Sequence, residues 1–483
     1  MADSEAVGAY QRVPLSAGEL CEIPPGPPTP RVREKVVAFS RAFQVRVLRY
    51  FAALKLTWEK DNPGKTFPGL CAEVDSVTGR MRPLDRQRAW SWGDCRALGI
   101  WSYFLLKGWI PAGPSEVTLL DGSRAAVDLR AFYGAYSDHL YRVITERLDA
   151  CGGKMPFLAD IATNRVSDDP RNIRIKPDEF EASHVFLATA LFNYAILRGR
   201  EDALGRARRV FDESVRAGLE FRFVNHLTKK RGPFERHGSI MVTVGAAVDV
   251  IKAVEACRAK GERRWDGLVP ELTERMLPGI DYILDRHYDP AKPAFWESNL
   301  DGKPYVDEKG HLICDPGHTA ELCGFLAEIA KYLPAVGRRW GRDAVVTAAA
   351  TLVKWTDRVG YGPKGVMYKN VDVFTGQGVA DVRDGGREYR TAPWWNVREL
   401  AAASLRLLAL TKDESLWEVY RRAFHAGYRN YPNAAIGGCF LQTLDAGTLA
   451  PLPFFPATGN LDPMHDSRAR EREIEALEEL ADR

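Results

Sequence analysis

A dozen stretches of helical periodicity, with strand signals almost absent between them, constrain this chain more than any other feature. Apolar residues recur at three- and four-residue spacing from Val32 to about Thr57, with Val36, Phe39, Phe43, Val47 and Phe51 on one stripe. A second helix opens in Ala89-Trp-Ser-Trp-Gly-Asp-Cys-Arg96 and runs to about Leu106. The pattern returns near 128–149, 183–199, 201–222, 238–258, 266–286, 317–333, 342–359, 394–411, 413–429 and 469–481. Connections alternate in length: Glu201-Asp202 and Lys412-Asp413 are tight, whereas 287–316 and 360–393 are long. A toroid of helical hairpins, with short turns on one rim and long loops on the other, explains that alternation. The chain is therefore read as all-α, without the strict sequence period of a solenoid.

Residues 1–30 end in Pro24-Pro-Gly-Pro-Pro-Thr-Pro30 and show no buried pattern. They are expected to form a flexible, extended arm, leaving 31–483 as one helical domain. Phe67 to Leu84 reads as a loop holding a small strand or two.

Chemistry-bearing residues gather at helix entries. In Cys314-Asp-Pro-Gly-His-Thr-Ala-Glu321 the Pro-Gly turn starts a helix and sets His318 and Glu321 three apart, on one side of its first turn. His465 precedes the last helix in Asn460-Leu-Asp-Pro-Met-His465, and His465-x-x-Arg468 puts a basic group in a turn whose dipole prefers acids. Arg390-Thr-Ala-Pro-Trp-Trp-Asn-Val-Arg-Glu399 places Trp395 and Glu399 on one face, where a Glu can hold sugar hydroxyls or fix an imidazole tautomer. His184 and His237 also stand beside the starts of apolar helices. His139, His226, His287 and His425 are read as surface or structural.

Composition narrows the partners. Lys plus Arg (67) nearly balances Asp plus Glu (64), so nothing argues for nucleic acid or a membrane surface. No apolar run is long enough to span a bilayer, the start lacks a signal-peptide pattern, and the cysteines have no zinc spacing. Reduced thiols in a cytoplasmic protein, with no metal or cofactor, are expected. Twelve tryptophans suit a sugar-stacking or otherwise aromatic-lined cavity.

Taken in order, Trp92-Gly-Asp-Cys-Arg96, Glu297, Asp315-Pro-Gly-His-Thr-Ala-Glu321, Trp394-Trp-Asn-Val-Arg-Glu399 and His465-Asp-Ser-Arg468 resemble the N-acylglucosamine 2-epimerase superfamily. The resemblance covers about residues 35–475. It implies an (α/α)6 barrel acting on a small-molecule sugar, with a homodimer as the assembly to test. It further implies His318 and His465 as the proton-transfer residues, Glu321 as their partner, and Arg96 as the group holding the sugar's carbonyl or enolate oxygen. Trp394 or Trp395 would stack on the sugar, with Glu399 on the same wall. Asp94, His184, His237, Glu297 and Arg468 complete the substrate-binding set. This chain has Asp94-x-Arg96 where the family usually has Gln-x-Arg. Ile240 falls where the disaccharide epimerases often carry a His, and the Lys common before the final His motif is missing.

Two bases that return the proton to the other face of C2 give epimerisation, and return to C1 gives aldose–ketose isomerisation. Two other classes stay open: hydrolysis or elimination on a glycan, with Asp94 and Glu321 as paired carboxylates, and a non-catalytic sugar-binding relative.

Overall fold

The computed structural model describes residues 11–65, 69–70, 73–81, 87–161, 163–170, 172, 175–224, 234–452 and 461–481. Among them the chain forms twelve α-helices: α1 (Pro30–Asp61), α2 (Ser91–Lys107), α3 (Leu129–Ala150), α4 (Ser183–Arg198), α5 (Glu201–Leu219), α6 (His237–Arg258), α7 (Leu268–Arg286), α8 (Pro316–Ile329), α9 (Arg342–Val359), α10 (Trp394–Thr411), α11 (Ser415–Asn430) and α12 (His465–Ala481). The even-numbered helices pack in succession, α2 on α4, α4 on α6, and so on to α10 on α12. Each also packs against an odd-numbered helix outside it, with α1 backing α12. The inner ring closes where Tyr103 Oη on α2 donates to Glu471 on α12 at 2.5 Å. This is the (α/α)6 toroid implied above. No helix among the described residues is long and apolar enough to cross a membrane.

Inner and outer helices differ because they have different surroundings. Every residue of α4 from Ser183 to Ile196 is buried, so it is apolar almost all round. Helix α5, outside it, buries only a stripe including Ala203, Leu204, Ala207, Val210, Phe211 and Ser214. Crowding of the inner ring demands small residues at crossings. A Cβ on Gly245 of α6 would lie 2.2 Å from Cζ of Phe325 on α8, so glycine is required there for the two helices to meet.

Among the described residues, strands are confined to short ladders in the loops, such as 234–236 with 298–300 and 391–393 with 443–445. Of the loop expected at 67–84, residues 67–68, 71–72 and 82–84 lie outside the described set, and an isolated bridge joins Val74 to Met81.

The N-terminal arm differs from expectation. Residues 1–10 lie outside the described set, but Leu15, Cys21 and Ile23 are buried to 7, 3 and 2 % exposure. The backbone N–H of Val13 donates to Asn433 Oδ1 (2.9 Å) and that of Ile23 to His425 Nε2 (3.0 Å). Irregular chain can seat isolated apolar side chains with no period, so a periodicity reading passes over them. His425 thereby has a structural role, as expected; His226 lies outside the described residues.

Replacing Gly245 with Ala drives a methyl into the Phe325 ring. Overpacking of this kind costs roughly 1–3 kcal/mol, so thermal unfolding of Gly245→Ala should begin several degrees below wild type, while Gly267→Ala, at an open position, should stay close to it.

Candidate active site

The α8 entry is built by its own sequence. The Asp315 side chain caps the helix, accepting from the N–H groups of Gly317 (2.9 Å) and His318 (3.3 Å), and Pro316 pre-sets the first turn. A Cβ on Gly317 would lie 2.2 Å from Asn396 Oδ1 and 2.5 Å from the Trp395 ring. Glycine at this point is what lets the start of α10 close on the start of α8.

His318 projects from that first turn and is held through Nδ1, which lies 3.1 and 3.2 Å from the two oxygens of Glu297. Glu297 also takes His237 Nε2 on Oε1 at 3.0 Å. Burial resists ionisation of Glu297, but His237 and His318 together overcome it and hold the carboxyl well below its ordinary range. A carboxylate can only accept, so His318 Nδ1 carries a proton, and in the neutral imidazole Nε2 keeps its lone pair. Burial also disfavours the imidazolium of His318, yet Asp315 and Glu297 outweigh it and raise the group above the usual histidine value.

His465 is held in the same manner from the other side. Its Nδ1 donates to Glu399 Oε1 at 2.8 Å. Burial opposes the charge on Glu399, but Arg468 and then His465 keep it ionised. Arg468 donates to Glu399 at 2.7 Å and to Glu321, and lies 3.5 Å from Asp249. Burial pushes the Asp249 carboxyl up, against the pull of Arg468 and Arg472. Before α12, Asp462 accepts from the N–H groups of Met464 and His465 with Oδ1 and takes Arg96 on Oδ2 at 2.6 Å. The Arg96 guanidinium lies over the Phe186 and Trp92 rings at 4.1 and 4.9 Å.

Trp395 brings the two halves together. Its ring centroid is 5.4 Å from that of His318 and 5.6 Å from that of His465. Glu321 and Arg468 connect this pair to a cavity also lined by Arg96, Phe186, Asp249, Phe325 and Met464, among others.

His318, His465, Glu321, Arg96, Trp395, Glu399 and Arg468 are thus assembled. Others are placed differently from the sequence reading. Asp94 does not pair with Arg96; it accepts from Arg147 at 2.7 Å and from the Leu70 N–H at 2.6 Å. His184 faces Glu213 of α5 at 3.2 Å and Phe180, away from the cavity. Trp394 is 2 % exposed and packs edge-on against Phe440, so Trp395 is the indole at the centre. Glu297 bonds both His237 and His318 rather than facing the cavity, and His287, read as surface or structural, is buried beside His237. Ile240 points to the outer helices, against Gly279 and Gly218.

Sequence reasoning did not single out Asp462, Asp249 or Lys369. Lys369 pairs with Asp315, and its Nζ lies 4.6 Å from the Trp395 ring centroid. It comes from the long 360–393 loop, where no period marks it. Asp462, beside Pro463 and three residues before His465, had a readable capping signal.

Two imidazoles with Nδ1 tied to ionised glutamates are chemically able to exchange protons through Nε2, and arginines beside them are able to meet negative charge.

No curated protein sequence matches the chain. Among solved structures it is similar to D-mannose isomerase (16% identity, TM-score 0.58, covering 89% of this chain and 97% of that one). It is likewise similar to cellobiose 2-epimerase from Spirochaeta thermophila DSM 6192 (14%, TM-score 0.61, 92% and 98%) and from Bacillus thermoamylovorans B4167 (14%, TM-score 0.60, 89% and 98%). These likenesses establish the fold. The family model described as N-acylglucosamine 2-epimerase (GlcNAc 2-epimerase) matches residues 164–457, which include His318, Glu321, Trp395 and Glu399 and end just before His465. That match covers more than half of the 483 residues, and the chain belongs to the N-acylglucosamine 2-epimerase family.

Proposed function

We propose that the protein is a sugar 2-epimerase or aldose–ketose isomerase that moves a proton at C2 of an open-chain sugar between His318 and His465. The observation that carries this reading is the matched pair of imidazoles, each held through Nδ1 by an ionised glutamate and each packed against Trp395. Membership of the epimerase family and the fold shared with D-mannose isomerase and cellobiose 2-epimerases agree with it.

In this mechanism one imidazole removes the C2 proton through Nε2. Negative charge then grows on the carbonyl oxygen, where Arg96 stabilises the enediolate. A donor of this kind is worth on the order of 100- to 1,000-fold in rate, and a positioned acid–base group roughly 100- to 10,000-fold. The second imidazole returns the proton to C2 or C1. Trp395 supplies the stacking wall, and Glu321 and Asp249 accept hydroxyls. The hydrolytic alternative needs Asp94 free to act with Glu321, and Asp94 is committed to Arg147.

Incubation with a panel of free sugars in heavy water, followed by NMR at C2, tests the proposal. Exchange should occur with at least one monosaccharide and fall by about 100-fold or more in both His318→Ala and His465→Ala. Release of a reducing end from an oligosaccharide without C2 exchange would sink it.

The pH dependence tests the carboxylate at His318. A base must be neutral, and this group is held above the ordinary histidine value, so kcat/KM should rise with pH with a midpoint above about 6.5. Glu297→Gln removes a charge that raises the group, and the midpoint should move down. A midpoint unmoved by Glu297→Gln would separate Glu297 from the proton transfer.

A further inference from the structure

Two clusters of histidine and carboxylate have donor atoms close enough to share one cation: Glu321, Glu399 and His465, and His237, Glu297 and His318. In the first a cation is already present, since the Arg468 guanidinium bonds both carboxylates. The second contains no Lys or Arg among the three. Its donors are His237 Nε2, Glu297 Oε1 and His318 Nδ1, with nitrogen–oxygen distances of 3.0 and 3.1 Å and all three atoms within 4.8 Å of one another. Ligands at zinc bond lengths of about 2.0–2.2 Å stand roughly 3.4 Å apart around a tetrahedron. Small side-chain movements therefore convert this hydrogen-bonded trio into a coordination site.

We propose that His237, Glu297 and His318 form a site for a divalent transition metal, Zn2+ above all, and that occupancy switches the protein off. The two-His, one-Glu donor set is a recognised zinc set that leaves a fourth position for water. Glu297 and His318 are 18 and 29 % exposed at their side chains and give the ion its way in. The ligands come from the start of α6, the residue just before a loop ladder and the start of α8, which is why no zinc spacing is visible in the sequence.

Binding changes two tautomers. Zn2+ releases waters and takes the nitrogens that now hold protons against Glu297, so each neutral imidazole shifts its proton to its other nitrogen, and a His318 present as imidazolium releases its Nδ1 proton to solvent. At His237 that nitrogen is Nδ1, which is buried and makes no hydrogen bond, so no bond is lost there. At His318 it is Nε2, the atom available as the base. Metal on Nδ1 thus turns Nε2 into an N–H and removes the acceptor that C2 deprotonation requires. The binding half stands on the geometry alone, and the inhibitory half rests on the function proposed above.

Titrating the full chain with Co2+ tests the binding half, because four-coordinate cobalt has intense visible d–d bands. The bands should saturate at one equivalent, vanish on addition of Zn2+, be lost in both His237→Gln and Glu297→Gln, and persist in His465→Gln, with circular dichroism checking that each variant is folded. Absence of bands in folded wild type, or bands unchanged in both His237→Gln and Glu297→Gln, overturns the site. For the inhibitory half, Zn2+ should reduce C2 exchange at least tenfold, a chelator should restore it, and His237→Gln should need at least tenfold more Zn2+. Cobalt binding with exchange insensitive to Zn2+ overturns inhibition. If no sugar exchanges at all, the proposed function fails while the cobalt spectrum still decides the site.

Discussion

Burying charge is tolerable only when each charge finds an opposite partner, and that condition organises the middle of this molecule. Helix α12 carries Arg468, Arg470, Glu471, Arg472 and Glu473 into the ring at 4, 0, 1, 1 and 0 % exposure. Leaving such a group unpaired costs about 3–5 kcal/mol. Partners therefore come from every side: Glu321 of α8 and Glu399 of α10 for Arg468, Asp249 of α6 for Arg472, Lys107 of α2 and Lys252 of α6 for Glu471, and Arg398 of α10 for Glu473. Burial still pushes Glu473 up to about 7 against the pull of Arg398. A one-residue slip of α12 would break all of these pairs at once. Apolar packing could not fix the register so sharply.

The candidate site inherits that register. His465 stands one turn before Arg468 on α12, and Glu399 serves both, so the pairing that locks the helix also aims the imidazole. His318 is held otherwise, by Glu297 next to a loop ladder, and it is the more exposed of the two, at 29 against 8 %. One imidazole is thus set by the interior of the barrel and the other by its rim. The arrangement couples a rigid half to one that loop chemistry can adjust.

Much of the architecture was legible in the sequence because helical periodicity survives in inner and outer helices alike. The Pro316-Gly-His motif was legible for a local reason, since the turn, the cap and the imidazole lie within four residues. Pairings across the ring were not. Nothing at Asp94 announces Arg147, 53 residues away, and nothing at Lys369 announces Asp315, 54 residues back. Glu297 was noticed but given to the substrate, because a carboxylate's acceptor role is the same toward a hydroxyl and an imidazole. The arm escaped because Leu15, Cys21 and Ile23 are buried one at a time.

The position of α12 has a bearing on how the molecule is made. A ribosome delivers this helix after the eleven others among the described residues, yet Tyr103 and Lys107 on α2 find their partners Glu471 and Glu475 on it. Until the last turn emerges, the nascent ring is an open arc whose inner wall displays charges meant for a helix not yet synthesised. Those same charges keep the exposed wall wetted and deter premature collapse. The chain can thus wait, hydrated and unsealed, for the piece that completes both the ring and the chemistry inside it.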